Sequence, residues 1–157
     1  MKIQLIVIGK TNQHFVRQGF DEYCKRLKHY YPFELEIIPD IKNCKHLSVE
    51  QQKEKEGEMI LQSFQPGDYI VLLDERGKEF TSVEFAEFIE KKVLAGLKRL
   101  VFVVGGAYGF SSGIYKTAHE NIALSKMTFP HQLVRLTFIE QLYRAMTIIH
   151  HEPYHHI

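Results

Sequence analysis

The sequence lacks the features that would place it in several large classes of protein. It has two cysteines, Cys24 and Cys44, which form no metal-site spacing and fit a reducing cytosol. No apolar run approaches the ~20 residues of a membrane span, and the first run is too short for a secretory signal. The formal net charge is only +1, so RNA binding would depend on local positive charge or on the nine histidines. We therefore expect a soluble, cytoplasmic protein with no membrane partner.

The chain has 157 residues and an ordinary globular composition, which is enough for one domain with a sizeable core. Apolar runs bounded by turn residues predict strands. These runs cover residues 3–8, 33–38, 69–74, 99–104 and 121–125. We expect residues 1–157 to form a single domain.

Helical patterns lie between the predicted strands, and capping residues mark where several of them begin. The caps are Thr11 or Asn12, Ser48 with Gln51 in a helix to about Phe64, and Thr81 with Glu84. The apolar positions of the first helix are Phe15, Phe20, Tyr23 and Leu27. A short helix is expected after residues 105–109, and the last long helix runs from about Gln132 to Ile149.

Strands separated by helices of this length predict an α/β fold with a mostly parallel sheet and helices on both faces. In such sheets, ligands bind beyond the carboxyl ends of the strands. The segments expected at those ends are Leu73 with Asp74, Gly105 with Gly106, and residues 124–129. This topology predicts a binding site before any motif is considered.

Two glycine-containing segments match phosphate-binding loops only in part. Gly9, Lys10 and Thr11 follow the first strand, but the earlier glycine of a P-loop is absent. The glycines after the fourth strand, at 105–113, do not have dinucleotide-binding spacing. The residues alone leave two interpretations open for that turn: a strand-to-helix turn without a ligand, and a turn that lets a ligand approach the backbone.

Four histidines crowd the end of the chain. They are His150, His151, His155 and His156. They lack the spacing of a zinc site, which favours a polar tail over a metal site. No nucleophile elbow, Cys–His signature or paired-carboxylate arrangement rises above chance either. We therefore expect no metal.

Residues 124–145 carry several polar side chains beside an apolar helical face. Ser125, Thr128 and His131 lie in a predicted loop or at its end. Glu140 precedes Arg144 by four residues, so the two side chains can pair on one helix face. This pattern indicates either an amphipathic helix with a salt bridge or a site wall in which Arg144 faces an anionic partner.

Several motifs occur in the order of one known family. They are GGxxG at 105–109, LSKMTFPH at 124–131, LVR at 133–135, ExLYRA at 140–145 and PYH at 153–155. The opening MKIQLIVIGK, KEGE at 55–58 and LDERGK at 73–78 match as well. Over essentially its whole length the chain resembles the ribosomal RNA large-subunit methyltransferase H family, which are small SPOUT methyltransferases.

The resemblance implies a fold, a reaction and a set of partners. The fold would carry a C-terminal trefoil knot, an exception to the rule against knots. The enzyme would use S-adenosylmethionine to methylate N3 of a pseudouridine in 23S rRNA of the assembled ribosome. It would act as a homodimer with each active site built across the interface. The glycine turn would make room for the methyl donor. The donor-binding residues would be Leu73, Gly105, Leu124, Ser125, Lys126, Met127, Thr128 and Phe129.

The reaction requires loss of the weakly acidic N3 proton, and cationic groups near the ring carbonyls would stabilise the developing anion. The catalytic candidates on the matching motifs are His131, Arg144, Tyr154 and His155. Among them, we prefer His155 as proton acceptor, because the pKa of a histidine can lie near working pH.

Two positions depart from the family pattern. His156 stands where the family usually has a basic arginine or lysine, and Ala107 with Tyr108 stands where it often has Pro-Glu. Phosphate contact at the tail should be weaker or pH-dependent, and the polarity of the pocket should change. Two rival functions remain: a non-catalytic ribosome-associated module with the same fold, and a generic nucleotide-binding domain.

Overall fold

The computed structural model describes residues 1–156. Its elements alternate between strand and helix along the chain. They are β1 (Lys2–Ile8), α1 (His14–Leu27), β2 (Phe33–Ile38), α2 (Val49–Ser63), β3 (Tyr69–Glu79), α3 (Ser82–Leu94), β4 (Arg99–Val104), α4 (Ser112–Thr117), β5 (Glu120–Ala123) and α5 (His131–Ile149), with a 3₁₀ turn at Cys44–His46.

The five strands form one sheet in the order β2-β1-β4-β3-β5, and every pairing is parallel. The α/β fold expected from the sequence is confirmed, and the sheet is parallel throughout. β4 lies between β1 and β3, and all of its residues are buried. A strand buried on both faces needs a continuous apolar run, which explains the sequence of residues 100–104. The trefoil knot stays a prediction.

Helices cover both faces of the sheet, and alternate side chains of each strand feed two separate cores. Leu100, Phe102 and Val104 of β4 pack with residues of α1, α3 and α5. Val101 and Val103 point the other way, toward α2 and α4. This alternation follows from the two-residue period of a strand. Parallel strands also place their carboxyl ends at one edge of the sheet, where the chain must turn into the next helix.

The start of α1 differs from the expectation. Neither Thr11 nor Asn12 is the cap, because the N-cap residue is Gln13 and its side chain makes no capping hydrogen bond. Instead Gln132 of α5 accepts hydrogen bonds from the backbone N–H groups of Asn12 and Gln13, both at 3.0 Å. Phe15, expected in the apolar face of this helix, is 61% exposed. A side chain distant in sequence therefore satisfies the helix end.

The other two caps are confirmed. Ser48 with Gln51 and Thr81 with Glu84 both form complete capping boxes. β3 extends to Glu79, beyond the expected end at Asp74, and its pairing with β5 shifts register between Leu73 and Lys78. β5 ends at Ala123 rather than at Ser125, which releases the following residues as a loop.

Candidate functional site

A cavity of about 440 Å³ opens at the carboxyl ends of β3, β4 and β5. Three segments surround it: residues 73–76 of β3, where the pairing with β5 shifts register, residues 104–110 at and after the end of β4, and the loop after β5. Lys53 of α2, Tyr115 of α4 and the start of α5, at His131 and Val134, complete the wall. Its volume lies in the range of about 300–1,000 Å³ that small-molecule pockets occupy.

The pocket brings together the residues that the sequence predicts for donor binding, with one exception. Those that line it are Leu73, Gly105, Leu124, Ser125, Met127, Thr128 and Phe129. Lys126 belongs to the same loop but does not line the cavity. Its side chain is 88% exposed, and its Nζ atom lies 3.7 Å from a carboxylate oxygen of Glu79. The assignment of these residues to a donor stays a prediction.

The glycine turn after β4 needs its glycines for three different reasons. A Cβ atom on Gly105 would lie 3.1 Å from the Phe110 ring, and one on Gly106 would lie 2.6 Å from a carboxylate oxygen of Glu56. Gly109 has free space but a φ of +83°, which favours glycine. At the first two positions, the neighbour that excludes a side chain is the protein itself.

Two carboxylates line the pocket beside Leu73. The topology predicted Asp74 at this edge of the sheet, whereas Glu75 was not among the expected site residues. Asp74 accepts a hydrogen bond from the Tyr115 hydroxyl, and burial raises the pKa of Tyr115 to about 12. Glu75 accepts a hydrogen bond of 2.9 Å from the Thr128 hydroxyl, which connects the loop after β5 to β3. The motif LDERGK at 73–78 contains both carboxylates and was the available signal.

Glu56 of α2 lies behind the glycine turn with only 5% of its surface exposed. Gln52 donates a hydrogen bond of 3.2 Å to its Oε1 atom. Burial raises the pKa of Glu56, and the nearby charge of Asp40 raises it further. The next residue, Gly57, lets α2 pack closely against the start of α4, because a Cβ atom at Gly57 would lie 2.5 Å from the Ser111 hydroxyl oxygen.

A second polar cluster joins the last turns of α5 to the tail. Arg144 donates hydrogen bonds of 2.5 and 3.1 Å to Glu140 Oε1, so the expected pair is confirmed. The Tyr154 hydroxyl donates to the same Glu140 oxygen at 3.0 Å. Because that hydrogen is used, the Tyr23 hydroxyl is the donor in its 3.2 Å contact with Tyr154.

The contacts within this C-terminal cluster fix the protonation of two members. The hydrogen bond to Glu140 raises the pKa of Arg144, which keeps the guanidinium charged. Burial, together with Tyr23 and Glu140, raises the pKa of Tyr154, which keeps it a neutral donor. His155 Nδ1 lies 3.2 Å from the Arg144 guanidinium. Since arginine only donates, Nδ1 is the acceptor in this contact.

The structure does not bring all four catalytic candidates together. His131 lines the pocket, whereas Arg144, Tyr154 and His155 form the C-terminal cluster. His131 and Arg144 are separated along α5, and at 1.5 Å per residue that separation is about 20 Å. Within one chain, α5 therefore holds His131 apart from the other three candidates, and the catalytic assignment of all four stays a prediction.

The described part of the chain, residues 1–156, contains no group of three His, Cys, Asp or Glu side chains positioned to hold a metal ion. Over the same residues, no helix combines the length and apolar character that crossing a bilayer requires. Among the histidines near the end of the chain, His150 contacts the Met146 carbonyl oxygen through its Nδ1 atom at 2.9 Å.

Comparisons with known proteins agree with the geometry. A family model described as a predicted SPOUT methyltransferase matches residues 1–155. Proteins named ribosomal RNA large subunit methyltransferase H are 65% identical to this chain in Parabacteroides distasonis and 58% identical in Flavobacterium johnsoniae, each over 99% of both chains. A solved structure of a probable methylase family protein from Haemophilus influenzae shares the fold, with a TM-score of 0.54, 14% identity, and coverage of 99% of this chain and 70% of that one.

These matches span nearly the whole chain, and the segments that form the pocket lie within them. The chain belongs to the ribosomal RNA large subunit methyltransferase H family of SPOUT methyltransferases.

Proposed function

We propose that this protein uses S-adenosylmethionine to methylate N3 of a pseudouridine in 23S rRNA of the assembled ribosome, as a cytoplasmic homodimer. The observation that carries the proposal is the pocket formed by the glycine turn and the loop after β5. It occurs in a chain 65% identical to a protein named ribosomal RNA large subunit methyltransferase H.

The pocket residues suit such a donor. Leu73, Val104 and Phe129 offer apolar surface. Asp74 with Glu75 offers negative charge, and Lys53 with Arg76 offers positive charge. S-adenosylmethionine supplies a methyl group on a positively charged sulfur. Apolar walls with a few placed polar groups are the usual composition of a small-molecule site. The hydrogen bond from Thr128 to Glu75 would hold the loop against β3 and so fix the shape of the pocket.

The C-terminal cluster suits the acceptor nucleotide. The N3 position is a weakly acidic imide, and its deprotonated form carries charge on the flanking carbonyl oxygens. Arg144 keeps its positive charge, and one of its nitrogens contacts His155 rather than Glu140. A fixed cation beside those oxygens lowers the cost of losing the proton. Tyr154 acts through position, since it packs on Tyr143 with ring centroids 4.9 Å apart and donates to Glu140.

The distance between pocket and cluster supports a composite site. Within one chain they are about 20 Å apart along α5, too far for one methyl transfer. A twofold dimer places the same surfaces of two chains against each other. We propose that the cluster of one protomer completes the pocket of its partner.

The low net charge supports a preformed RNA substrate. With a formal charge of +1, the chain has little general attraction for phosphates. Selection of one nucleotide would then depend on the shape of the assembled ribosome. Free rRNA should be a poor substrate.

The test uses labelled S-adenosylmethionine and three substrates: assembled ribosomes, ribosomes without pseudouridine, and naked rRNA. All come from a strain that lacks this methyltransferase. We expect label only on assembled ribosomes that contain pseudouridine. Arg144→Ala should lower the rate on them by about 100-fold, as removal of one anion-stabilising donor does. Arg17→Ala, an exposed arginine of α1 outside both groups of site residues, is the matched control.

The rival functions predict different results. A non-catalytic module predicts no label on any ribosome, and failure to bind S-adenosylmethionine would favour it. A generic nucleotide-binding domain predicts stabilisation by ATP or NAD in a thermal-shift panel and none by S-adenosylmethionine. Either result, obtained with folded protein, would contradict the proposal.

A further inference from the structure

Glu56 is a buried carboxylate that has no role in the proposed reaction. It projects from α2 toward the turn after β4, on the sheet face opposite α5. A Cβ atom on Gly106 would lie 2.6 and 2.7 Å from its two carboxylate oxygens. Gly106 itself lines the cavity. The carboxylate therefore lies directly behind a wall of the pocket that has no side chain.

The charge of Glu56 is not neutralised by the rest of the described protein. Its hydrogen-bond donor is the neutral amide of Gln52. Lys53, three residues earlier on α2, lines the cavity, and its Nζ atom pairs with Glu50 at 3.4 Å. Asp40, the charged group that faces Glu56 from the end of β2, is negative as well. A buried carboxylate without a cation costs free energy, so its position calls for a cationic partner.

The cavity side of Gly106 is where such a partner can lie. The methyl donor carries a positive sulfonium, whereas its demethylated product does not. During transfer the carbon–sulfur bond breaks and its electron pair stays on sulfur. The N3–methyl bond forms, and the N3 proton leaves to solvent. The sulfur is then a neutral thioether, and its attraction to a nearby carboxylate is lost.

We propose that Glu56 acts through Gly106 as the counter-charge that makes the pocket prefer S-adenosylmethionine to S-adenosylhomocysteine. This inference rests on the proposed function, because it assumes that the pocket binds the donor. Glu56 is a positioning and specificity residue, since the turn separates it from the ligand. The charge of Glu56 would favour binding of S-adenosylmethionine before the reaction and release of S-adenosylhomocysteine after it.

The test measures the Kd of both compounds by titration calorimetry, with full-length dimeric protein at about pH 8. The variants are Glu56→Gln, which keeps the shape and removes the charge, and Glu56→Asp, which keeps the charge. Glu58→Gln is the matched control, because Glu58 is an exposed carboxylate on the same helix. We expect Glu56→Gln to weaken S-adenosylmethionine about 10-fold and S-adenosylhomocysteine less than about 2-fold. Glu56→Asp and Glu58→Gln should keep the wild-type ratio.

The outcomes separate the two proposals. Equal weakening of both compounds by Glu56→Gln, or no weakening, overturns the counter-charge while leaving donor binding intact. Failure of the wild-type protein to bind S-adenosylmethionine overturns the proposed function and this assignment with it. If Glu56→Gln does not fold, the decision falls to Glu56→Asp. Glu56→Asp keeps the charge, so a change of about 10-fold in its ratio of the two Kd values, relative to wild type, would then contradict the proposal.

Discussion

At the residue scale, Arg144 and Glu56 differ in whether the protein provides a partner of opposite charge. Glu140 stabilises Arg144 through two hydrogen bonds, and the pKa of Arg144 rises so that it stays a cation. Among residues 1–156, no cation pairs with Glu56, and burial raises the pKa of its carboxyl group. The first arrangement stabilises the fold, whereas the second lowers stability at neutral pH in return for a charge beside the pocket.

The raised pKa of Glu56 predicts a pH-dependent effect on stability. Below its ordinary value of 4.5 the carboxyl is protonated in both folded and unfolded chains, and no penalty arises. As pH rises through the raised folded-state pKa, ionisation favours the unfolded chain and stability is lost. Glu56→Gln removes this titration. The difference in Tm between Glu56→Gln and wild type, without ligand, should therefore grow more positive between about pH 5 and about pH 8.

The measurement is thermal denaturation followed by circular dichroism across that pH range. The groups that face Glu56 are Gln52 on its own helix, Asp40 after β2 and the Gly106 backbone. Glu58→Gln, exposed on the same helix, should show a constant difference. If the Tm difference for Glu56→Gln does not change with pH, then ionisation of Glu56 does not lower the stability of the folded protein.

At the scale of elements, local signals predicted what local interactions determine. β2 and β4 begin and end as expected, and both capping boxes formed, because strand runs and capping boxes involve residues close in sequence. The pocket segments were predictable because parallel strands end at one edge. The cap of α1 was not, since its acceptor, Gln132, lies 120 residues away from Asn12. Glu56 was missed for the same reason: only the packing of α2 brings it to the glycine turn.

The cap of α1 provides a prediction at this scale. Gln132 is 9% exposed, and its Oε1 atom accepts from two backbone N–H groups that otherwise lack a side-chain cap. Gln132→Ala should lower the free energy of unfolding by about 1–2 kcal/mol, as loss of a helix cap does. For a chain of this size that corresponds to a fall in Tm of about 2–8 °C.

Chemical denaturation measures this change directly. Gln18→Ala, at an exposed position of α1, is the control and should alter the free energy of unfolding by less than about 0.5 kcal/mol. Equal effects of the two substitutions would mean that Gln132 does not stabilise the start of α1.

At the scale of the whole molecule, α5 connects two chemical environments and keeps them apart. Its first turn borders the pocket, and its last turns carry the C-terminal cluster. Arg135, 1% exposed between them, donates hydrogen bonds to the Ile8 carbonyl and to Thr11, which fixes the helix to the end of β1. Because the helix is anchored, bending it to join the two groups within one chain would break these bonds. In the proposed homodimer, the second protomer would supply the missing half.

Mixed dimers test this arrangement. Ser125→Arg places bulk and positive charge in the pocket, and Arg144→Ala disables the cluster. Each homodimer should be inactive. A heterodimer purified through two different tags has one site with both defects and one site with neither, if each site uses the pocket of one chain and the cluster of the other. Its methylation rate on ribosomes should therefore be about half that of wild type. If each chain built its own complete site, both sites would carry a defect, and the heterodimer would be as inactive as its parents.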